Sequence, residues 1–153
     1  VEVRKDDSEV GKASSSERRT ERVGKISAGM IQDGGAMMKA TLGRLEKIAA
    51  RIESRIAKIK AEGGNTTESE KFLAEGKVHL TEARASLNVF LGIDVSSSSS
   101  SLSENVGKIR EAASAVKTHL REAHASLVKA IINLKPGRSL DVRASTTIKV
   151  NAQ

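Results

Sequence analysis

Apolar residues recur alternately three and four positions apart in three stretches of this chain, with polar residues filling the positions between. The first stretch is Met38, Leu42, Leu45, Ala49, Ile52, Ile56 and Ile59. The second is Leu73, Gly76, Leu80, Ala83, Leu87 and Phe90, and the third is Leu102, Val106, Ile109, Ala113, Val116, Leu120, Ala123, Leu127, Ala130 and Leu134. Such spacing puts every apolar side chain on one stripe of an α-helix, and stripes sustained over several turns make long helices that pack along their lengths. The pattern predicts a mainly α protein: an antiparallel bundle of three long, heptad-patterned helices. Leu45, Ile52, Ile56, Leu80, Leu87, Val116, Leu120 and Leu127 hold a and d positions and are the expected core.

Glycine, serine and proline punctuate the pattern. Val23, Ile26 and Met30 suggest a short amphipathic helix over about 17–32. Gly34-Gly35 should interrupt it, since each glycine costs roughly 1 kcal/mol inside a helix. A long helix then runs over about 36–62, with Gly63-Gly64 as a left-handed stop. Thr67 and Glu70 have capping-box spacing and open a helix over 67–91. The connection is short enough to force an antiparallel hairpin. The uninterrupted serines from Ser96 to Ser101 read as a flexible linker within 93–102. Ser103 is a candidate cap for a helix over 103–134, which Pro136-Gly137 ends. At about 1.5 Å per residue the long helices span roughly 35–50 Å.

The ends follow another rule. Residues 1–16 are polar and expected to be extended. Over 135–153 the period changes from that of a helix to two: Leu140, Val142, Ala144, Thr146, Ile148 and Val150 alternate with mostly polar neighbours, the signature of a strand with one apolar face. Val1 and Val3 hint at a second short strand. The terminal segments are therefore β-prone. Because a lone strand leaves its backbone groups unpaired, residues 140–150 are a candidate assembly strand that pairs with a neighbouring molecule.

Composition narrows the picture. The chain has 153 residues, enough for one domain, with 38% apolar and only 1% aromatic residues, so Leu, Ile, Val and Ala must do nearly all the packing. That suits a slender bundle better than an enzyme with a thick core and an aromatic-lined pocket. The absence of cysteine removes disulfides, thiolate metal sites and cysteine nucleophiles. No apolar run approaches the roughly 20 residues of a membrane span. The chain begins Val1-Glu2-Val3, which suits a mature chain whose leader has been removed and favours export.

A net charge of +7 admits an anionic partner. Arg44, Lys47, Arg51, Arg55 and Lys58 form a basic band on one helix, a candidate polyanion site for nucleic acid or an anionic wall polymer. Glu46 and Glu53 lie beside it and no aromatic residues interleave with it, so an ordinary solvated face is the favoured reading. His79 with Glu82, and His119 with Glu122, are pairs three residues apart, a spacing that bundles use to hold metals. The heptad puts both histidines at g and both glutamates at c, outside the seam, so the three histidines are expected to be exposed and mutually distant. No metal site, cofactor or catalytic residue is expected. Asn65-Thr66-Thr67 has the spacing of a glycosylation sequon. One internal echo stands out: His79 to Leu87 (HLTEARASL) matches His119 to Leu127 (HLREAHASL) at the same heptad phase.

The run from Arg44 to Ile59, followed by Glu62-Gly63-Gly64-Asn65-Thr66-Thr67 and Ala83-Arg84-Ala85, resembles exported helical-hairpin, coiled-coil-like proteins of unknown function from small-genome uncultured bacteria. The resemblance covers about residues 40–91 and implies a helical hairpin and export; it brings no activity and no functional residues. The combined expectation is a non-enzymatic structural or interaction protein, extracellular or at the cell surface. It would be a surface or filament subunit that forms homo-oligomers through helix packing and terminal strand exchange, with no small-molecule substrate. Binding of a polyanion is the alternative.

Overall fold

The computed structural model describes residues 13–95 and 102–134. They form three helices, α1 (Ala13–Ala61), α2 (Thr67–Leu91) and α3 (Leu102–Asn133), which pack on one another as a bundle. Contacts fix their directions. Lys60 pairs with Glu70, Glu53 with Lys77 and Glu46 with Arg84, so α2 runs back along α1. Gly76 meets Leu127 near one end of α2, and Asn105 donates to the Asp94 carbonyl oxygen just past the other, so α3 runs against α2 and parallel to α1.

The core is the predicted seam. Leu45, Ile52, Ile56, Leu80, Leu87, Val116, Leu120 and Leu127 are all buried, together with Met38, Leu42, Ala49, Leu73, Ala83, Phe90, Ile109, Ala123 and Ala130. Interlocked branched side chains along narrow stripes replace a central aromatic core, as the composition requires. At Gly76 the missing side chain lets α2 and α3 close together: a Cβ there would lie 3.0 Å from Leu127 Cδ2.

The N-terminal half of α1 differs from expectation. Instead of two helices over 17–32 and 36–62, one helix runs unbroken through Gly34-Gly35. The reason lies in α2. Phe90 packs at 3.6 Å from the position a Gly34 Cβ would take, and a Cβ on Gly35 would sit 2.5 Å from Leu91 Cδ2. Gly35 admits the end of α2 against the α1 backbone, while a side chain at Gly34 would meet Phe90 at an ordinary distance, and packing along this face outweighs the propensity cost of about 1 kcal/mol per glycine. The apolar face of this segment also lies elsewhere than the sequence predicts. Ile26 and Met30 point outward, whereas Ser27, Ile31 and Gly35 are buried, so small residues carry the seam toward the N-terminus.

The hairpin turn closes with a left-handed Gly63 (φ +79°). Gly64 N–H bonds the Ile59 carbonyl at 2.9 Å and Gly63 N–H the Lys60 carbonyl at 3.1 Å, which satisfies the carbonyls that a helix C-terminus leaves open. Helix α2 opens at Thr67 as expected, but without the capping box. The Asn65 side chain accepts the Thr67 N–H at 3.1 Å, while Glu70 takes hydrogen bonds from Lys60 Nζ at 2.9 Å and Thr66 Oγ1 at 3.1 Å. These two donors, Lys60 first, hold the Glu70 carboxyl below its ordinary range. The expected extended segment 1–16 gives way to helix from Ala13 onward. The paired strands expected from Val1, Val3 and residues 140–150, and the serine run 96–101, lie outside the described residues. Among the described residues there is no strand.

Candidate functional site

The two halves of the internal echo meet across the α2–α3 interface. Because the helices are antiparallel and share a heptad phase, the g position of one faces the g position of the other. His79 and His119 therefore stack, with ring centroids 6.2 Å apart and planes 27° from parallel. The expectation that the histidines lie far apart fails for this pair; His124 alone is exposed and separate.

Each histidine has two carboxylates, one from its own helix and one from the facing helix. His79 Nδ1 lies 3.1 Å from Glu82 Oε2 and 3.2 Å from Glu122 Oε2. His119 Nδ1 lies 3.0 Å from Glu82 Oε2 and 3.7 Å from Glu122 Oε2. Two nitrogens and two oxygens thus alternate around one small space, with the approximate two-fold relation that the repeated His-x-x-Glu implies. The histidines are about 70% covered, with side-chain exposures of 29% and 28%. His119 Nδ1 is itself buried and makes no hydrogen bond, although Glu82 Oε2 is at ion-pair distance. His79, Glu82 and His119 each offer one ligand atom, all within 4.8 Å of one another. Glu82 and Glu122 reach this point from c positions because a glutamate side chain is long enough to lean back over its own helix turn toward residue i−3.

A second feature is apolar. Between the N-terminal halves of α1 and α3, above Phe90, lies a groove of about 680 Å³ whose walls include Ile26, Met30, Met38, Ile109 and Ala113. Ile26 is 63% exposed and Met30 55% exposed on its outer wall. At the other end of the bundle Val128, Ile131 and Ile132 also face outward, spaced i, i+3, i+4 on one side of α3, with Ile132 69% exposed.

The basic band is present as predicted on one face of α1, with Arg44, Lys47, Arg51, Arg55 and Lys58 all exposed. The glutamates expected to neutralise it are engaged elsewhere. Glu46 pairs with Arg84 and Glu53 with Lys77, both across to α2. The candidate strand Leu140, Val142, Ala144, Thr146, Ile148 and Val150 lies outside the described residues. No helix among the described residues is long and apolar enough to cross a membrane. Comparison with protein-family models, with characterised proteins and with solved structures yields no match.

Proposed function

We propose that this chain is a non-enzymatic structural protein that assembles with copies of itself, exported as a surface or filament subunit. The observation that carries the reading is the pair of outward apolar features at opposite ends of a slender bundle. One is a groove walled by Ile26, Met30 and Ile109, and the other a helical stripe of Val128, Ile131 and Ile132. From Ile109 to Ile131 is about 30 Å along α3. An apolar helix face set into an apolar groove is a common mode of recognition. Paired head to tail, two different patches at opposite ends make a contact that propagates, whereas side-by-side antiparallel pairing would close it as a dimer. The alternating segment 140–150 follows the stripe in the chain, and its period of two is the sequence pattern that suits strand exchange with a neighbour. Export rests on the resemblance to exported helical-hairpin proteins.

Electron microscopy and sedimentation of the full-length protein test this directly. Ordered polymers or a concentration-dependent series of oligomers are expected. Ile132→Lys, at an exposed position, should leave the helical content intact and abolish the series, and removal of residues 139–153 should do the same. A monomer at every concentration, or assembly indifferent to both changes, would reject the reading.

Polyanion binding stays as a second reading because the band on α1 shows no ion pair among the described residues, while its neighbouring glutamates are taken by α2. It expects nucleic acid or an anionic wall polymer to bind with affinity falling steeply as salt rises. Arg51→Glu with Arg55→Glu should remove that binding and leave self-assembly intact.

A further inference from the structure

We propose that His79, Glu82 and His119, with Glu122 turned in as a fourth ligand, form a binding site for a divalent transition-metal ion, with Zn²⁺ as its natural occupant, and that the ion clamps α2 to α3. The argument begins with donor type. Imidazole nitrogen and carboxylate oxygen are zinc ligands, bound at about 2.0–2.2 Å, and structural zinc prefers four of them in a tetrahedron. A tetrahedron with bonds of about 2.05 Å has edges of about 3.3 Å. His79, Glu82 and His119 each bring one donor atom within 4.8 Å of the other two, which side-chain rotations close to that edge, and Glu122 Oε2 stands beside them, 3.2 Å from His79 Nδ1.

Protonation of the histidines accounts for part of this arrangement, since an imidazolium beside a carboxylate is an ordinary ion pair. It leaves one atom unexplained. His119 Nδ1 is buried and makes no hydrogen bond, although a carboxylate oxygen lies 3.0 Å away. A buried ring nitrogen that makes no hydrogen bond is costly even beside a carboxylate, and a metal ion among these donors gives it a bond. His79 Nδ1 faces the same two carboxylates, so one ion serves both rings and neutralises both glutamates.

The repeat supplies the geometry. His-x-x-Glu places both side chains on one helix face, and its second copy at the same phase on an antiparallel partner completes the set. With Glu122 turned in as the fourth ligand no position is left for water or substrate, and a zinc site closed in this way is structural and not catalytic. Its place beside Leu80 and Leu120 in the middle of the α2–α3 seam makes it a cross-link between the two helices.

The test uses the full-length chain, freed of metal by a chelator and then titrated with Zn²⁺ by calorimetry, with Co²⁺ as a spectroscopic probe of coordination. One Zn²⁺ per chain is expected, with a tetrahedral Co²⁺ spectrum displaced by Zn²⁺ and a thermal midpoint that climbs with metal concentration. Loss of a supporting outer-shell group typically costs a metal site 10–100-fold, so His119→Gln or His79→Gln, which removes a ligand outright, should weaken binding by about a hundredfold or more. Both positions flank the seam, and helical content measured by circular dichroism verifies that the variants fold. His124→Gln should bind like the parent. No binding to the parent chain, binding that survives the His79→Gln, His119→Gln double change, or an octahedral Co²⁺ spectrum would each overturn the proposal.

Discussion

Ile52 and Leu120 are core positions on two different helices. Both side chains are buried between helices, with nothing but other side chains to fill the space if they are cut back. Ile52→Ala or Leu120→Ala should cost about 2–5 kcal/mol, the usual range for a packed aliphatic residue, as read from chemical denaturation. Ser69 offers the opposite case. It is fully buried and its hydroxyl has no hydrogen-bond partner. Ser69→Ala removes that unsatisfied group and adds helix propensity, so it should stabilise the protein by on the order of 1 kcal/mol. These core residues were legible in the sequence because period alone places them. The histidine cluster was not. Heptad letters g and c describe one helix in isolation, and they mark His79 and Glu82 as flanking residues. The expected antiparallel packing turns those letters into contacts, because in an antiparallel pair g meets g. The echo between residues 79–87 and 119–127 held the missing information: identical phase on antiparallel partners brings like residues face to face.

Elements were read correctly where the local signal and the packing agree, as at the Gly63-Gly64 stop, and wrongly where packing overrides it. Gly34-Gly35 carries a strong local signal to break, yet α1 continues through it because Phe90 packs against this face and Leu91 occupies the space Gly35 leaves. The continuity can be checked by Gly34→Ala. The nearest atom to the new Cβ would be Phe90 Cζ at 3.6 Å, an ordinary contact, so no clash offsets the gain in propensity. The substitution should raise stability by about 1 kcal/mol. A break at this point would leave the alanine without effect or make it harmful. The hairpin turn yields a prediction with a sign in pH. Hydrogen bonds from Lys60 and then Thr66 hold the Glu70 carboxyl below its ordinary value. A carboxylate depressed by folding stabilises the fold above its unfolded-state pKa, and that contribution disappears as pH falls through the lowered value. Glu70→Gln should therefore lower the denaturation midpoint at neutral pH, and the gap from the parent should close in acid. Glu70 is exposed, so the gap is small.

For the molecule as a whole, the question is whether contacts between copies close or propagate. The groove beside Ile26, Met30 and Ile109 and the stripe of Val128, Ile131 and Ile132 differ in shape and lie at opposite ends of the bundle. A symmetric antiparallel dimer would set each copy's groove on the other's stripe and close there. A head-to-tail contact buries both, and every added copy presents the same two patches again. The distinction can be made with two defective chains. Met30→Glu puts a charge on the groove wall and leaves the stripe untouched; Ile132→Glu does the reverse. Each residue is more than half exposed, so neither change disturbs the core. Alone, each variant should be monomeric. Mixed in equal amounts, the intact stripe of the first and the intact groove of the second still fit, and the product has one spoiled patch at each end. Sedimentation should then show a heterodimer that grows no further, while the unmodified chain continues to polymerise. A mixture that stays monomeric would remove the groove and stripe as partners, and a variant that still dimerises with itself would point to a closed, symmetric interface.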